Sequence, residues 1–249
     1  MKLTLKTCAC HDPDLTLANC IYLHPDDAKA LTPVCNPYVD GRSKLTYALL
    51  RKYVYVVRGS DQVERGYVMT SSVQRRLVNL ALMDPVDVVA YVAPDPKIFI
   101  TSLELTVDWL ARPRLPSLPP RVISDARAAE LVFSTSNLAD MLPQASDKWQ
   151  GFVKHFFTVG QIFIMQVRGI PLEFTVDALK VGDDNTAFGV CHHDCICDGG
   201  PPELQCPGRA HCLPSPVAEP EQEGTRGMLT NFTEIHIKRA PGSALKLDP

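Results

Sequence analysis

The sequence contains no Gly-x-x-x-x-Gly-Lys-Ser/Thr run, so no glycine-rich loop leads phosphates onto a helix N-terminus. Gly-x-Gly-x-x-Gly, Gly-x-Ser-x-Gly and His-Glu-x-x-His are missing as well. The chain is therefore not expected to hydrolyse ATP, and no nucleophile or acid–base constellation presents itself. No stretch of about 20 apolar residues exists to span a membrane as a helix. Met1–Thr7, MKLTLKT, lacks the apolar core of a secretory signal. A cytoplasmic chain is the expectation, its nine cysteines reduced thiols or metal ligands rather than disulfides. The formal charge of −3 lacks the basic excess of a general nucleic-acid binder.

Apolar residues are plentiful. They make up 45% of 249 residues, enough for the core of one large domain or two small ones. Charge is uneven: residues 191–226 carry Asp194, Asp198, Glu203, Glu219, Glu221 and Glu223 against Arg209 and Arg226, a net of −4. By contrast, Arg51, Lys52, Arg58, Arg65, Arg75 and Arg76 crowd residues 51–76 against only Asp61 and Glu64. A locally basic face is hidden in an acidic total, and such a face steers association.

Residues 1–92 read as short strands at Thr4–Thr7, Asn19–Leu23, Leu45–Leu50, Tyr53–Val57, Gly66–Met69 and Val86–Val92, punctuated by Pro, Gly, Asn and Asp. Strands this short need closure, and a small barrel hides their edges. Between Gly66–Met69 and Val86–Val92 the sequence gives a polar-basic turn, Ser71–Arg76, then one apolar helical turn through Leu77, Leu80 and Leu82. Ala93-Pro94-Asp95-Pro96 is the linker candidate, since its prolines exclude helix and cannot donate to a sheet.

A second unit spans 97–247. Ile98–Leu110 alternates as a strand, and 112–121 is a proline-rich loop. Ser124–Met141 reads as a helix capped by Ser124, and Asp147–Phe156 as a second, with Trp149, Phe152, Val153 and Phe156 at helical spacing. Gln161–Val167 and Leu172–Val176 form a hairpin about Gly169-Ile170-Pro171, and Met228–Ile237 and Ala244–Leu247 are further strands. Mixed elements predict an α+β lobe.

Cys191–Gly224 is foreign in composition and reads as an insertion in a connecting loop. Cys191, Cys195, Cys197, Cys206, His211 and Cys212 could give zinc four ligands, three or four of them thiolates. The spacing is not a repeated Cys-x2-Cys pair, so a loop without metal is the competing reading. Cys8-x-Cys10 is a weaker pair still. Cys20, His155 and Trp109 read as packing residues rather than as ligands or catalysts.

Three stretches carry a family resemblance. Gly66–Tyr91, GYVMTSSVQRRLVNLALMDPVDVVAY, resembles the first half-domain of the N-terminal module of N-ethylmaleimide-sensitive factor, the AAA ATPase that takes SNARE complexes apart. Phe156–Gln161 followed by Ile162–Ile164 is similar to that family's aromatic-Ser/Thr-Val-Gly-Gln-Gln-hydrophobic run. Leu15–Cys20, LTLANC, resembles its Leu-Ser-Leu-Thr-Asn-Cys. Arg226–Thr230 is similar to a Gly-Ile-Leu-Thr stretch of some members, and Lys246–Pro249 to the junction before the ATPase modules.

The resemblance implies a double-psi β-barrel over 1–92 and an α/β roll over 97–247. It implies an adaptor-binding module without cofactor of its own, the parent's ATP and Mg belonging to ATPase modules beyond Pro249. Such a parent is a homohexamer acting in vesicle-mediated transport, cytoplasmic and held at Golgi and vesicle membranes through partners. In the family, basic positions line a groove between the lobes and receive the acidic end of the SNAP adaptor, which brings SNARE complexes. Carried over, those positions are Arg75, Arg76, Arg112 and Arg114. Arginine suits the role, because its planar fork holds carboxylates bidentately. Pro113 splits the second pair, and the family's N-terminal arginine aligns with Ala9, for which Lys6 is the nearby replacement. Ordinary solvated arginines are the competing reading. Two other partners remain open: ubiquitin-pathway adaptors, as for the N-domain of a valosin-containing-protein-like ATPase, or a zinc-stabilised interaction module about 191–212.

Overall fold

In the first strand, β1 (Lys2–Ala9), Leu5 and Thr7 turn inward while Lys2, Thr4 and Lys6 stay in solvent. This period-two pattern starts a closed barrel in a computed structural model that describes residues 1–31, 45–92, 98–110, 132–142, 152–167, 170–182, 222–223, 225–243 and 245–248. The other staves are β2 (Cys20–Leu23), β3 (Thr46–Leu50), β4 (Tyr53–Gly59), β5 (Tyr67–Thr70) and β6 (Pro85–Tyr91). Their order around the barrel is β1-β5-β2-β4-β3-β6, and β6 returns to β1. Pairs β1–β5 and β2–β4 run parallel; the rest are antiparallel. Ile21, Leu23, Ala48, Leu50, Tyr55, Val68 and Val88 fill the interior, and closure leaves no unpaired strand edge. Two short helices, α1 (Pro13–Leu17) and α2 (Pro25–Leu31), flank β2, and Leu31 plugs the barrel core.

All six expected strands of the first lobe are present, with ends shifted by a few residues. The helix between β5 and β6 departs from expectation. It is the polar-basic stretch itself, α3 (Ser72–Val78), while Leu80 and Leu82 lie in the turn beyond it. A reciprocal cap explains this. Ser71 Oγ accepts from the Gln74 amide at 3.1 Å and Gln74 Oε1 from the Ser71 amide at 2.8 Å. Asn79, left-handed at φ 52°, ends the helix.

The second lobe is built on β7 (Phe99–Trp109), with β8 (Val132–Ser134), α4 (Thr135–Met141), β9 (Phe156–Thr158), β10 (Ile162–Val167), β11 (Ile170–Gly182), β12 (Gln222–Glu223), β13 (Arg226–Met228), β14 (Glu234–Arg239) and β15 (Lys246–Asp248). The main sheet runs β10-β11-β7-β13-β9, with β14 parallel to β7 and β12 on β11, while β15 pairs β8 separately. One face is a continuous core of Leu103, Leu105, Phe133, Leu138, Phe157, Phe163 and Phe174. Phe163 stacks on Phe174 with centroids 5.3 Å apart.

The described residues are therefore mostly strand, with few helices, and two expected helices need correction. Of Ser124–Met141, residues 124–131 lie outside the described residues, Val132–Ser134 is a strand and Thr135–Met141 is helical. In Asp147–Phe156, residues 152–154 form a turn and Phe156 begins β9. Of the spaced aromatics, Phe152 in the turn joins the core of the sheet and Phe156 in the strand joins a separate cluster with Tyr47 and Tyr91. Ile170 and Pro171 belong to β11 rather than to the hairpin turn. Met228–Ile237 divides into β13 and β14 at a turn held by Thr233 Oγ1, which takes the Thr230 amide at 3.1 Å and donates to the Ile100 carbonyl at 2.7 Å. The linker 93–96, the loop 112–121, Arg112, Arg114, Trp149 and all six candidate zinc ligands lie outside the described residues. Among the described residues no helix is long and apolar enough to cross a membrane.

Candidate functional site: the joint between barrel and sheet

The outer wall of the barrel packs on the second lobe through a shared apolar cluster: Cys20, Tyr22, Tyr47, Val54, Val56 and Met69 against Phe99, Phe156 and Met228. Phe156 stands edge-on between Tyr47 and Tyr91, with centroids 5.1 and 5.2 Å away. Hydrogen bonds fix the register of the two lobes. Tyr47 donates to the Lys154 carbonyl at 2.8 Å and Tyr53 to the Gly160 carbonyl at 3.2 Å. Arg226 reaches back from β13: its Nε donates to Thr158 Oγ1 at 3.1 Å, its Nη2 to the Lys52 carbonyl, and its guanidinium lies 5.4 Å from the Tyr91 ring centroid.

Burial at this joint shifts its ionisable groups. The His155 imidazole, 5% exposed, is lowered to about 4, chiefly by loss of solvent and also by the nearby Arg58 charge. It is a neutral packing residue, edge-on to Phe152. The Cys20 thiol is raised to about 11 by burial, which Arg58 only partly opposes. Cys8 is raised the same way, burial outweighing Arg75. These thiols are poor nucleophiles.

Helix α3 carries the first two candidate cations to this joint and packs against β10. Its Gln74 is buried, with Nε2 donating to the Cys20 carbonyl at 3.0 Å, so the helix is pinned to β2. The two arginines then diverge. Arg75 Nη1 donates to the Thr70 carbonyl at 2.6 Å, and partial burial lowers its pKa, with the Cys8 and Cys10 thiols nearby. Arg75 thus braces the β5–α3 corner. Arg76 extends across the joint, and its Nη2 bonds Glu173 Oε2 on β11. The Arg76 side chain is 46% exposed and that of Glu173 16%.

Glu173 was not among the sequence candidates. It lies on the sheet face opposite the core, where an alternating strand normally shows charge to solvent, so nothing in the sequence marks it. In register it sits beside Asp108 of β7 and Ile164 of β10. Farther along the same strand Asp177 takes Thr106 Oγ1 and lies 3.1 Å from Lys238 Nζ. Arg76 therefore meets an acid, Glu173, beside Asp108, while Asp177 is paired with Lys238. Asp108 is itself engaged, accepting from the Trp109 amide at 2.7 Å and from Ser243 Oγ.

Among the described residues no group of three or more Cys, His, Asp or Glu is placed to hold a metal ion, and Cys8, Cys10 and Cys20 are free thiols. The site can thus offer a half-exposed guanidinium in a rigid corner, a means of recognition by charge. Neither a protein-family model nor a curated protein matches the sequence.

Proposed function

We propose that this chain is the adaptor-binding N-domain of an ATPase resembling N-ethylmaleimide-sensitive factor, which recruits SNAP–SNARE complexes for ATP-driven disassembly. Its work is recognition, and its partner is the acidic end of a SNAP adaptor. The observation that carries the reading is the position of Arg76, half exposed at the joint of a closed six-stranded barrel and a second sheet. That is where the resemblance expects the adaptor groove. Two parallel pairs in the barrel, β1–β5 and β2–β4, support a double-psi topology. Arg112 and Arg114 follow β7, whose Trp109 end pairs with Leu172, the residue before Glu173.

Several such modules on a hexamer would engage several adaptors, so modest affinity at each site becomes avidity. The test is Arg76→Glu in the folded chain, with binding to a SNAP adaptor followed by calorimetry. Binding should weaken markedly, and wild-type binding should fall with added salt. Undiminished binding by the reversed variant would remove the assignment.

A further inference from the structure

The cation offered to an acidic partner already holds a carboxylate, that of Glu173. We propose that Glu173 is an internal competitor for Arg76, so that an acidic partner binds by exchanging this intramolecular ion pair for an intermolecular one. The inference rests on the adaptor-binding reading above and concerns how that site is tuned.

Three features carry it. The contact joins Arg76 Nη2 to Glu173 Oε2, a single hydrogen bond from one terminal nitrogen of the guanidinium. A guanidinium has five donors in a planar fork, so its other edge can meet a second carboxylate. Arg76 is the more exposed member, and Glu173 sits deeper, on a strand fixed on both sides by β10 and β7. Arg76 can therefore swing to a partner while Glu173 stays behind. Finally, Asp108 lies directly across from Glu173 on the neighbouring strand, so an incoming carboxylate meets a second negative charge on the sheet next to the one that holds Arg76. Like charges so placed reject weak or singly charged ligands, and a partner with several acids is needed to draw Arg76 away.

Ion-pair competition at a half-exposed site is modest in size but has a definite sign. Glu173→Gln keeps shape and strand position while removing the charge. It should raise SNAP adaptor affinity about twofold to fivefold, the scale of an exposed ion pair. It should also steepen the fall of affinity with salt, because Arg76 then starts unpaired and its whole charge is screened. Glu173→Thr, a strand-compatible replacement, makes the same test if the glutamine variant melts early. Arg76→Glu run alongside separates the two ideas. If reversal weakens binding and Glu173→Gln strengthens it, both stand. If reversal weakens binding but Glu173→Gln leaves affinity and salt slope unchanged or reduces affinity, Glu173 is a passive brace or a positioning group, and the competition is overturned. If reversal has no effect, the adaptor site itself is misplaced and the competitor falls with it.

Discussion

The Tyr47 hydroxyl donates to the Lys154 carbonyl at 2.8 Å, and Lys154 holds a left-handed backbone, φ 68°, at that position. Lys154 is anchored from the other side as well, its amide donating to the Leu229 carbonyl at 2.9 Å. A non-glycine residue in this conformation is held by its surroundings, here by bonds from both lobes.

Tyr47→Phe keeps the ring edge-on to Phe156 and removes the hydroxyl. The Lys154 carbonyl then loses a cross-lobe donor at a part-buried site. The expected cost is about 1 kcal/mol of unfolding free energy. Urea denaturation gives the number, and an unchanged midpoint would mean that the bond contributes nothing.

Acidification should weaken the joint through His155. Its folded pKa of about 4 lies below the ordinary histidine value of 6.5, so between those two values the unfolded chain binds a proton that the folded chain does not. Stability therefore falls as pH drops through this window and is fully present above it. The largest loss from this group is on the order of 3 kcal/mol. His155→Gln removes the titration. Its unfolding free energy should vary less between pH 6.5 and 4 than that of the wild type. Parallel curves for the two proteins would assign the acid sensitivity to other groups.

The barrel was legible because its strands are short, β-branched and separated by residues that break strands. β2 (CIYL) and β4 (YVYVVRG) admit little else. Helix α3 was legible only in part, since Ser71 and Gln74 satisfy a capping box although the residues between look like turn. Phe152 and Phe156 misled because helical spacing also arises when a turn and a strand feed two neighbouring clusters, Phe152 the core of the sheet and Phe156 the joint with the barrel. Arg76 could be chosen from the sequence. Its partner could not, because Glu173 is ninety-seven positions away and pairing between lobes is a property of topology, not of local pattern. The same holds for Arg226 and Lys52, which meet over 174 positions.

Close packing predicts a strong effect at Gly227 in β13. A Cβ there would lie 2.7 Å from Ile100 Cγ1 and 3.0 Å from Val181 Cγ1, where β7, β11 and β13 converge. Gly227→Ala should cost about 1–3 kcal/mol through overpacking. Since Arg226 is the adjacent residue, the shift should also disturb its bonds to Thr158 and Lys52. Protease nicking at the joint should rise with the loss of stability. A variant as stable as wild type would show that Ile100 and Val181 can repack.

The cysteine-rich insertion gives the last prediction, and the structure places one of its ends. Gln222 and Glu223 form β12 on β11, in register with Val181 and Lys180, so the chain returns to the sheet before Arg226 makes its cross-lobe contacts. A deletion through Gly224 would remove that pairing along with the loop. Removing Cys191–Glu221 and joining the ends with a short Gly/Ser turn keeps β12. The melting temperature should then change by only a few degrees, because loop-closure entropy grows with the logarithm of length. Zinc analysis of the intact chain tests the competing idea. If Cys191, Cys195, Cys197, Cys206, His211 and Cys212 supply a metal site, about one zinc per chain should co-purify, and a chelator should destabilise the intact protein but not the deletion variant. An intact chain free of zinc, with a deletion variant that melts where the wild type does, identifies the segment as a loop that the fold does not need. A tightly held zinc together with a large loss of stability on deletion would make it a structural element instead.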